Sequence, residues 1–452
     1  MSEPKKVGRR TFLNYATAIV ATGVIVGAAT YLATPKGVET VTAPGATTTV
    51  TVPGVATTVT APGATTTVTK TMTTQPGPTT TTPIPVEMID PYRDYLNIPP
   101  GSALLPGGAL GATDLPAFTK LDEYTKAPPY TIVVCSHGGG ISWTELMKAA
   151  YTLKANQYKQ LGYIKEFTYY EPFFDVEKQT SQLETVLAMK PDAVVISPAS
   201  PTALIPIIDK FYDAGIPTVI VNSQYTGKKF SAFIMQDDRL FGKLQALWLV
   251  KKLNGKGKIV VLRGAPGEGP DIYRWEYGAK PVLDQYPGIE VLGVAPTGWS
   301  YDGGKKATEA FLAAHPTIDG VISIGGEPTA GAVDAFIEVG RPLVPMTGED
   351  SNALVKRYLK YHGKPEYGNF DTCFPTMPVW WAAKGIDAAI DLLQGRSIPR
   401  TQVYAAAYIP TEAIQSYVNK YHFDKFPDDL WWNAIWYTGL TYEQLKDMFG
   451  VK

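Results

Sequence analysis

The sequence predicts an α/β protein of two doubly wound lobes, each with a parallel sheet between layers of helices, joined by a hinge with crossovers. From Tyr130 onward, short apolar runs typical of buried strands alternate with amphipathic helical segments. The alternation occurs over residues 130–221 and again over residues 240–347, which favours two sheets. A cleft between two such lobes is a preferred place for a small molecule.

Strands and helices follow one another without interruption in the first half of this region. Tyr130–Cys135 (YTIVVC) is a continuous apolar, β-branched run, as expected for a parallel strand that is covered on both faces. Ser142 heads a helix predicted over residues 143–159, whose apolar positions recur every three or four residues. The other predicted elements here are strands over 164–170, 193–197 and 218–221 and helices over 176–189 and 203–214.

The second half repeats the same order, which predicts a second sheet of the same kind. Predicted helices cover 240–253, 273–285, 303–314 and 329–339, and predicted strands cover 258–262, 289–295, 320–324 and 343–347. In a doubly wound sheet, the loops at the carboxyl ends of the strands hold the ligand.

The amino-terminal segment, residues 1–35, predicts export. Four basic residues are followed by an uncharged stretch over residues 11–35, and Arg9-Arg10-Thr11-Phe12-Leu13 resembles a twin-arginine signal. An ordinary membrane anchor with basic flanks is the alternative. Because about 20 apolar residues span a bilayer, an uncut segment of this kind could also anchor the chain. Either way, we expect the body at the cell surface or in the periplasm.

Residues 36–83 predict a stalk, not a core. The nine-residue repeat TAPGATTTV, TVPGVATTV, TAPGATTTV fills residues 42–68, and its Pro-Gly pairs break helices and turn strands. An extended, threonine-rich spacer is the preferred interpretation, and a β-aggregating tract is the alternative that the repeated proline disfavours. Residues 84–129 predict an irregular lead-in along the body.

Charge and cysteine content exclude several classes of protein. Lys and Arg number 41 against 42 Asp and Glu, so no basic field favours nucleic acid. Cys135 and Cys373 are far apart in the sequence, which leaves two buried thiols or a single disulfide open. The four histidines show no HxH or HExxH spacing and no GxSxG motif occurs, so we predict no metal, no cofactor and no enzymatic activity.

Four landmarks in chain order resemble the periplasmic sugar-binding proteins of the ribose and galactose type. They are Ile216-Pro217-Thr218-Val219-Ile220-Val221-Asn222, Ala314-His315-Pro316 before Ile318-Asp319-Gly320-Val321, Thr347-Gly348-Glu349-Asp350-Ser351-Asn352, and Ala382-Ala383-Lys384-Gly385. The resemblance covers residues 130–418. It implies the type I periplasmic-binding fold, a monomer that captures a sugar between its lobes, and delivery to an ABC permease. It also implies a first lobe of 130–236 plus about 377–405 and a second of 237–376 plus about 406–452.

The same resemblance implies binding roles for particular side chains. Trp143 takes the position of an aromatic residue that packs on a sugar ring, Asn222 that of a hydroxyl-binding amide, and Arg274 lies near a hydroxyl-binding arginine. Asp350 takes the position of the second-lobe carboxylate. Glu327 follows a strand where relatives often have Asn-Asp, so it could substitute for a missing side chain.

Other candidates come from their positions beside predicted strand ends. Trp275 and Trp299 are placed to offer flat aromatic faces, and His137 is placed to contact the ligand at the first strand end. The aromatic tail, residues 424–452, either braces the lobes or forms part of a site for a larger saccharide. A chemosensory or nucleoside- or polyol-binding receptor of the same fold is the alternative function, ahead of a carbohydrate-active enzyme.

Overall fold

The computed structural model describes residues 48–52, 55–59, 85–88, 104–105, 108–109, 113–379, 381–404, 406–409, 411–432, 443 and 446. The predicted signal or anchor at residues 1–35 lies outside the described residues. In the part of the chain that is described, no helix is long and apolar enough to cross a membrane. Residues 1–79 and 80–452 form separate units.

The described part of the first unit is a strand pair. β1 (Thr48–Val52) pairs antiparallel with β2 (Val55–Val59), in a register that places Thr48 opposite Val59. The pair lies within the spacer predicted over residues 36–83, which stays a prediction. Thr and Val are β-branched and favour strands, so the junction of the first two repeats pairs with the end of the second.

The second unit begins with short elements and then builds a six-stranded sheet. A two-stranded pair comprises β3 (Leu104–Leu105) and β4 (Gly108–Ala109). The elements that come next are β5 (Tyr130–Cys135), α1 (Ser142–Gln160), β6 (Ile164–Tyr170), α2 (Val176–Met189), β7 (Ala193–Ile196), α3 (Ile205–Asp213), β8 (Thr218–Val221) and β9 (Ala232–Gln236).

A second, smaller sheet comes after the first. Its elements are α4 (Asp238–Lys252), β10 (Gly257–Arg263), α5 (Gly269–Arg274), α6 (Lys280–Leu283), β11 (Ile289–Pro296), α7 (Tyr301–Ala314), β12 (Gly320–Ser323), α8 (Gly326–Val339) and α9 (Asn352–Tyr361). A π-helical turn, Trp275–Ala279, joins α5 to α6. The predicted strand over 343–347 is wrong, because only single bridges form there, from Leu343 to Gly368 and from Met346 to Val321.

The chain then returns to the first sheet and crosses back. The elements of this return are β13 (Phe374–Thr376), α10 (Trp381–Leu393), β14 (Thr401–Tyr404), β15 (Ala407–Ile409) and α11 (Ile414–Tyr421). Short 3₁₀ turns cover Val86–Met88, Pro365–Tyr367, Thr411–Ala413 and Phe423–Lys425. Because β13 pairs antiparallel with β15, two of the connections between the sheets run side by side.

Both larger sheets are parallel, as the sequence predicts. The first has the strand order β14-β9-β8-β7-β5-β6, and the second has β11-β10-β12. In each sheet the second strand in chain order lies on one side of the first strand, and the third lies on its other side. These topological switch points, between β5 and β7 and between β10 and β12, open crevices at the carboxyl ends of the strands.

Helices cover both faces of the first sheet, which explains its uninterrupted apolar strands. Val195 packs with Leu146 of α1 and Ile386 of α10, whereas the neighbouring Val194 packs with Leu183 of α2 and Ile208 of α3. Successive side chains of a strand point to opposite faces, so every position of β7 is buried. We call this sheet with α1, α2, α3 and α10 the first lobe. The second sheet with α4 to α9 is the second lobe, and the exact residue boundaries of the lobes stay a prediction.

Most of the predicted helices and strands are confirmed. The differences are in the residues at which some elements begin and end, and in strands that were not predicted. The bounds of β5, β6, β8 and α2 agree with prediction, whereas β9, β13, β14 and β15 are absent from it. Residues 113–129 contain no named helix or strand, and Thr119 and Lys126 donate backbone hydrogen bonds to Ile398 and Leu393 of the first lobe. Cys135 and Cys373 are free, buried thiols.

Candidate functional site

A cavity lies between the lobes, at the carboxyl ends of both sheets. It contains about 490 Å³ of space outside protein atoms, open solvent included. Among the residues that line it are His137, Trp143, Phe174 and Asn222 of the first lobe. The second lobe contributes Glu268, Arg274, Trp299, Gly325 and Glu349, and Trp431 comes from the carboxyl-terminal tail.

His137 stands at the switch point of the first sheet. It follows β5, and its Nδ1 lies 2.7 Å from the hydroxyl of Ser197, which follows β7. The buried Gln179 amide fixes the two strand ends by donating to the carbonyl oxygens of Ser136 (2.6 Å) and Ser197 (2.8 Å). Burial lowers the pKa of His137 to about 4, so the imidazole is neutral at physiological pH.

Asn222 offers an unused acceptor at the end of β8. The residue is 1% exposed, and its Oδ1 has no hydrogen-bond partner among the described residues. Its φ of 65° lies in the left-handed region, which Asn tolerates better than most residues. Because an unpaired buried acceptor costs about 1–3 kcal/mol, a ligand donor that reaches this oxygen would recover that free energy.

Aromatic rings complete the first-lobe wall. The ring of His137 lies 6.1 Å from that of Trp143 and 5.7 Å, edge to face, from that of Phe174. The indole N–H of Trp143 donates to the carbonyl oxygen of Met377 (2.9 Å), in the connection that returns to the first lobe. This bond fixes the orientation of the indole face.

Arg274 organises the second-lobe wall. Its Nε donates to Asp238 (2.7 Å), and its Nη1 donates to Glu349 (3.0 Å) and to the carbonyl oxygen of Ile324 (2.7 Å). The guanidinium stacks 3.7 Å from the ring centre of Phe241. Arg274 is 3% exposed, so these contacts hold the charged group rigidly beside the cavity.

Trp299 lies across the switch point of the second sheet, and two glycines make room for it. A Cβ atom on Gly264, after β10, would lie 2.0 Å from Cζ2 of Trp299, and one on Gly325, after β12, would lie 3.1 Å from Cε3. Trp299 has a φ of 62°, and its indole N–H donates to Glu268. The other oxygen of Glu268 lies 3.3 Å from Nε2 of His137, across the cleft.

The two cavity glutamates are both buried, and burial favours their neutral forms. Burial raises the pKa of Glu268 to about 8, although the hydrogen bond from Trp299 opposes the shift. Burial also raises the pKa of Glu349 to about 7, against the opposing charge of Arg274. Both carboxyl groups therefore titrate near physiological pH.

A hydrogen-bonded bridge connects the lobes beside the cavity. Ser142, the first residue of α1, donates its hydroxyl to Glu327 in the first turn of α8. The same hydroxyl accepts from the indole N–H of Trp431 at 2.7 Å. Trp431 is held to the second lobe by its backbone bridge to Ser351 and by the bond from Trp432 N to the Asp350 carbonyl oxygen.

Some of the predicted site residues lie together and others do not. The cavity is lined by His137, Trp143, Asn222, Arg274 and Trp299. Trp275 instead packs in the second-lobe core with Trp248 and Val282 and is 5% exposed. Glu327 belongs to the bridge with Ser142. Asp350 is fully buried, and its neighbour Glu349 takes the place at the cavity wall that the sequence assigned to Asp350.

Glu268, Glu349 and Trp431 line the cavity but are not among the site residues predicted from the sequence. Glu268 and Glu349 both follow strand-like segments of the second lobe, a signal that could have included them. For Trp431 no local pattern exists, because its partner Ser142 is 289 residues away in sequence. Within the tail, the described residue Trp431 bonds to Ser142 of the first lobe and lines the cavity.

No metal centre is placed by the described residues, which contain no group of three or more His, Cys, Asp or Glu side chains suited to an ion. The polar side chains that line the cavity include an amide, a guanidinium and two carboxyl groups. These groups can hydrogen-bond to the hydroxyl or amine groups of an organic ligand.

Comparison with known proteins identifies relatives of the two-lobed region. A family model described as "Periplasmic binding protein domain" matches residues 132–397. A xylitol-binding protein of Mycolicibacterium smegmatis is 30% identical over 177 residues, which are 39% of this chain and half of that protein. A putative rhizopine-binding protein of Rhizobium meliloti is 28% identical over 249 residues, 53% of this chain and 76% of that protein.

Solved structures show the fold. An ABC transporter solute-binding protein from Thermobispora bispora aligns with a TM-score of 0.60 at 23% identity, over 71% of this chain and 95% of that one. One from Bacillus halodurans, with bound myo-inositol, aligns with a TM-score of 0.58 at 23% identity, over 66% of this chain and all of that one. The two lobes have the type I periplasmic-binding fold.

Proposed function

The chain belongs to the periplasmic binding protein family, and on this premise we propose that it is an extracytoplasmic solute-binding protein. It captures a sugar or polyol in the cleft between its lobes and delivers it to an ABC importer. The relatives named for sugars or polyols, including xylitol and D-ribose or D-allose, support this class of ligand.

One observation carries the proposal: the cavity joins flat aromatic faces to buried polar groups that converge on it. Trp143 and Trp299 suit the apolar face of a ring or carbon chain. Asn222 Oδ1 accepts from hydroxyl groups, and Arg274 and Glu349 can add further hydrogen bonds. Each bond contributes about 0.5–1.5 kcal/mol, so several must act together to give useful affinity.

Capture couples ligand to closure of the lobes. A ligand that touches Asn222 in the first lobe and Arg274 in the second binds better when the lobes are shut, so it increases the closed population. A membrane permease that recognises the closed form then receives only loaded protein. We propose that the chain acts as a monomer and reaches the membrane surface through its twin-arginine-type signal or an anchor at residues 1–35.

We propose no catalytic role for the cavity, although three of the side chains at its edge contact one another in the order of a catalytic triad. Ser197, His137 and Glu268 form a chain of contacts at 2.7 Å and 3.3 Å, in the order of a nucleophile, a base and an acid. Ser197 is fully buried and does not line the cavity, so its hydroxyl cannot reach a ligand there. We propose that this chain of contacts holds His137 in place.

The test is thermal melting of the full-length protein with a panel of pentoses, hexoses, disaccharides, polyols and nucleosides. A ligand at 100 times its Kd stabilises the folded state by about 2.7 kcal/mol, so a true ligand raises Tm clearly. Sugar recovered unchanged by NMR would separate capture from turnover. If no sugar or polyol raises Tm, or if the ligand is consumed, the proposal is wrong.

A matched pair of variants locates the site. Asn222→Gly removes the amide from the cavity while its φ of 65° suits glycine, and Asn254→Gly makes the same change at a φ of 51° outside the cavity lining. We expect Asn222→Gly to weaken binding of any ligand found by about tenfold. Asn254→Gly should leave the affinity unchanged.

A further inference from the structure

The second-lobe wall of the cavity contains more acidic than basic groups. Arg274 is shared between Asp238, at 2.7 Å from its Nε, and Glu349, at 3.0 Å from its Nη1. These three groups are at most 3% exposed. The single cation Arg274 is therefore already paired with two buried carboxyl groups, Asp238 and Glu349.

Glu268 is a third acidic group of this wall, and it has no cationic partner of its own in the described structure. It is 4% exposed and lines the cavity, and its contacts are the indole N–H of Trp299 and Nε2 of His137. His137 is neutral because burial lowers its pKa to about 4. A buried carboxylate needs a compensating charge or a proton, and burial raises the pKa of Glu268 to about 8.

Aromatic rings surround the same space. Trp143, Phe174, Trp299 and Trp431 line the cavity together with Glu268. Aromatic faces attract cations, most strongly where water is excluded. A carboxyl group that has no cationic partner among the described residues and lies beside aromatic rings suits a positively charged group on a ligand, which would take the place of the carboxyl proton. The hydroxyl groups of a neutral sugar supply no charge, so Glu268 keeps its proton when such a sugar binds.

Asn222 adds an acceptor that the protein itself leaves unused. Its Oδ1 is buried and has no partner among the described residues, and it lines the same cavity. Asn222 and Glu268 can thus both accept hydrogen bonds from a ligand. An ammonium group supplies three donors and a charge, and neighbouring hydroxyl groups supply the rest.

We propose that the preferred ligand is a sugar or polyol that carries a protonated amine, with its ammonium group bound to Glu268 and its hydroxyl groups bound to Asn222 and Arg274. This assignment rests on the proposed function and narrows its ligand class. It makes Glu268 the residue that distinguishes amino from neutral compounds.

The experiment compares matched pairs that differ only in the amine, using the full-length protein at pH 6.5. The pairs are D-glucosamine with D-glucose, D-galactosamine with D-galactose, and 1-amino-1-deoxysorbitol with sorbitol. Calorimetry should show at least one amine bound about 100-fold more tightly than its neutral counterpart. Glu268→Gln preserves shape and removes the carboxyl group that can ionise beside the ammonium group, so it should reduce that preference to less than fivefold.

Glu276→Gln is the matched control, because Glu276 is on the same lobe, pairs with Arg263 and does not line the cavity. It should keep the full preference for the amine. Equal or tighter binding of the neutral members to the unmodified protein would overturn this inference and leave the proposed function intact. A preference that survives Glu268→Gln would also overturn it. If neither these pairs nor the wider neutral panel binds, the proposed function fails as well.

Discussion

The two walls of the cleft are built on different principles. The first-lobe wall presents neutral groups, the imidazole of His137, the amide of Asn222 and the indole of Trp143. The second-lobe wall presents charges that are already bonded to each other, with Arg274 between Asp238 and Glu349. The second wall is therefore preorganised before a ligand arrives, which reduces the cost of binding, whereas the first leaves an acceptor for the ligand to satisfy.

We expect the largest effect from Arg274→Ala, which disrupts the second-lobe wall. The change leaves Asp238 and Glu349 buried without their cation, and removing one partner of a buried ion pair costs about 3–5 kcal/mol. We expect a loss of that size in the free energy of unfolding, measured by urea denaturation, together with loss of ligand binding.

Arg341→Ala is the control for that variant. Arg341 donates to the carbonyl oxygens of Leu312 and His315 and faces no carboxylate among its hydrogen bonds. We expect a loss of about 1 kcal/mol. If both arginine variants lose similar stability, charge pairing does not hold the second-lobe wall together.

The free energy of unfolding should depend on pH in opposite directions for Glu268 of the second-lobe wall and His137 of the first-lobe wall. Glu268 keeps its proton up to about pH 8 in the folded state, whereas in the unfolded chain it loses the proton near its ordinary value of 4.5. The folded state therefore binds more protons between these values, and the free energy of unfolding falls as pH rises through this window. His137 acts oppositely, because its pKa falls from 6.5 to about 4 and the unfolded chain binds the extra proton. Its contribution is lost as pH falls through that range.

Urea denaturation from pH 4 to pH 9 measures both effects, each on the order of a few kcal/mol. Glu268→Gln should remove the fall in the free energy of unfolding between about pH 4.5 and pH 8. His137→Asn should remove the opposing rise between about pH 4 and pH 6.5, so that the free energy of unfolding falls more steeply with pH in that range. A Glu268→Gln curve that runs parallel to that of the unmodified protein would show that Glu268 is ionised in the folded state.

A smaller effect is expected from Gly264→Ala. The new Cβ would lie 2.0 Å from Cζ2 of Trp299, so the indole must move from the second-lobe wall. Overpacking costs about 1–3 kcal/mol, and displacement of Trp299 should also weaken ligand binding at least tenfold. Gly293→Ala is matched, because its Cβ would lie 2.5 Å from Phe311, outside the cavity lining. It should lose stability and keep affinity, and equal losses of affinity in both variants would exclude a local role for Trp299.

The smallest expected effect concerns the bridge between the walls. Ser142→Ala and Trp431→Phe each break the 2.7 Å hydrogen bond between the two side chains, so a double-mutant cycle on ligand affinity should give a coupling of about 1 kcal/mol. Trp432→Phe is the control, because its indole N–H donates to Asn352 within the second lobe. A coupling with Ser142→Ala that is as large for Trp432 as for Trp431 would contradict the bridge.

Part of the cavity was predictable because side chains that follow buried parallel strands meet at one edge of the sheet. His137 and Asn222 follow β5 and β8, and both line the cavity as expected. The choice between neighbours was not predictable. Glu349 and not Asp350 reaches the cavity, and Trp299 does so while Trp275 is buried in the core, since a shift of one residue or a turn of helix redirects a side chain.

The sequence by itself determined the parallel α/β architecture, because continuous apolar runs such as β5 and β7 are stable only with helices on both faces of their sheet. Only the tertiary structure decided the charge balance of the cleft and the place of Trp431. Burial sets the protonation of Glu268, and Trp431 meets Ser142 from 289 residues away. Both depend on packing between distant segments, which no local pattern of residues encodes.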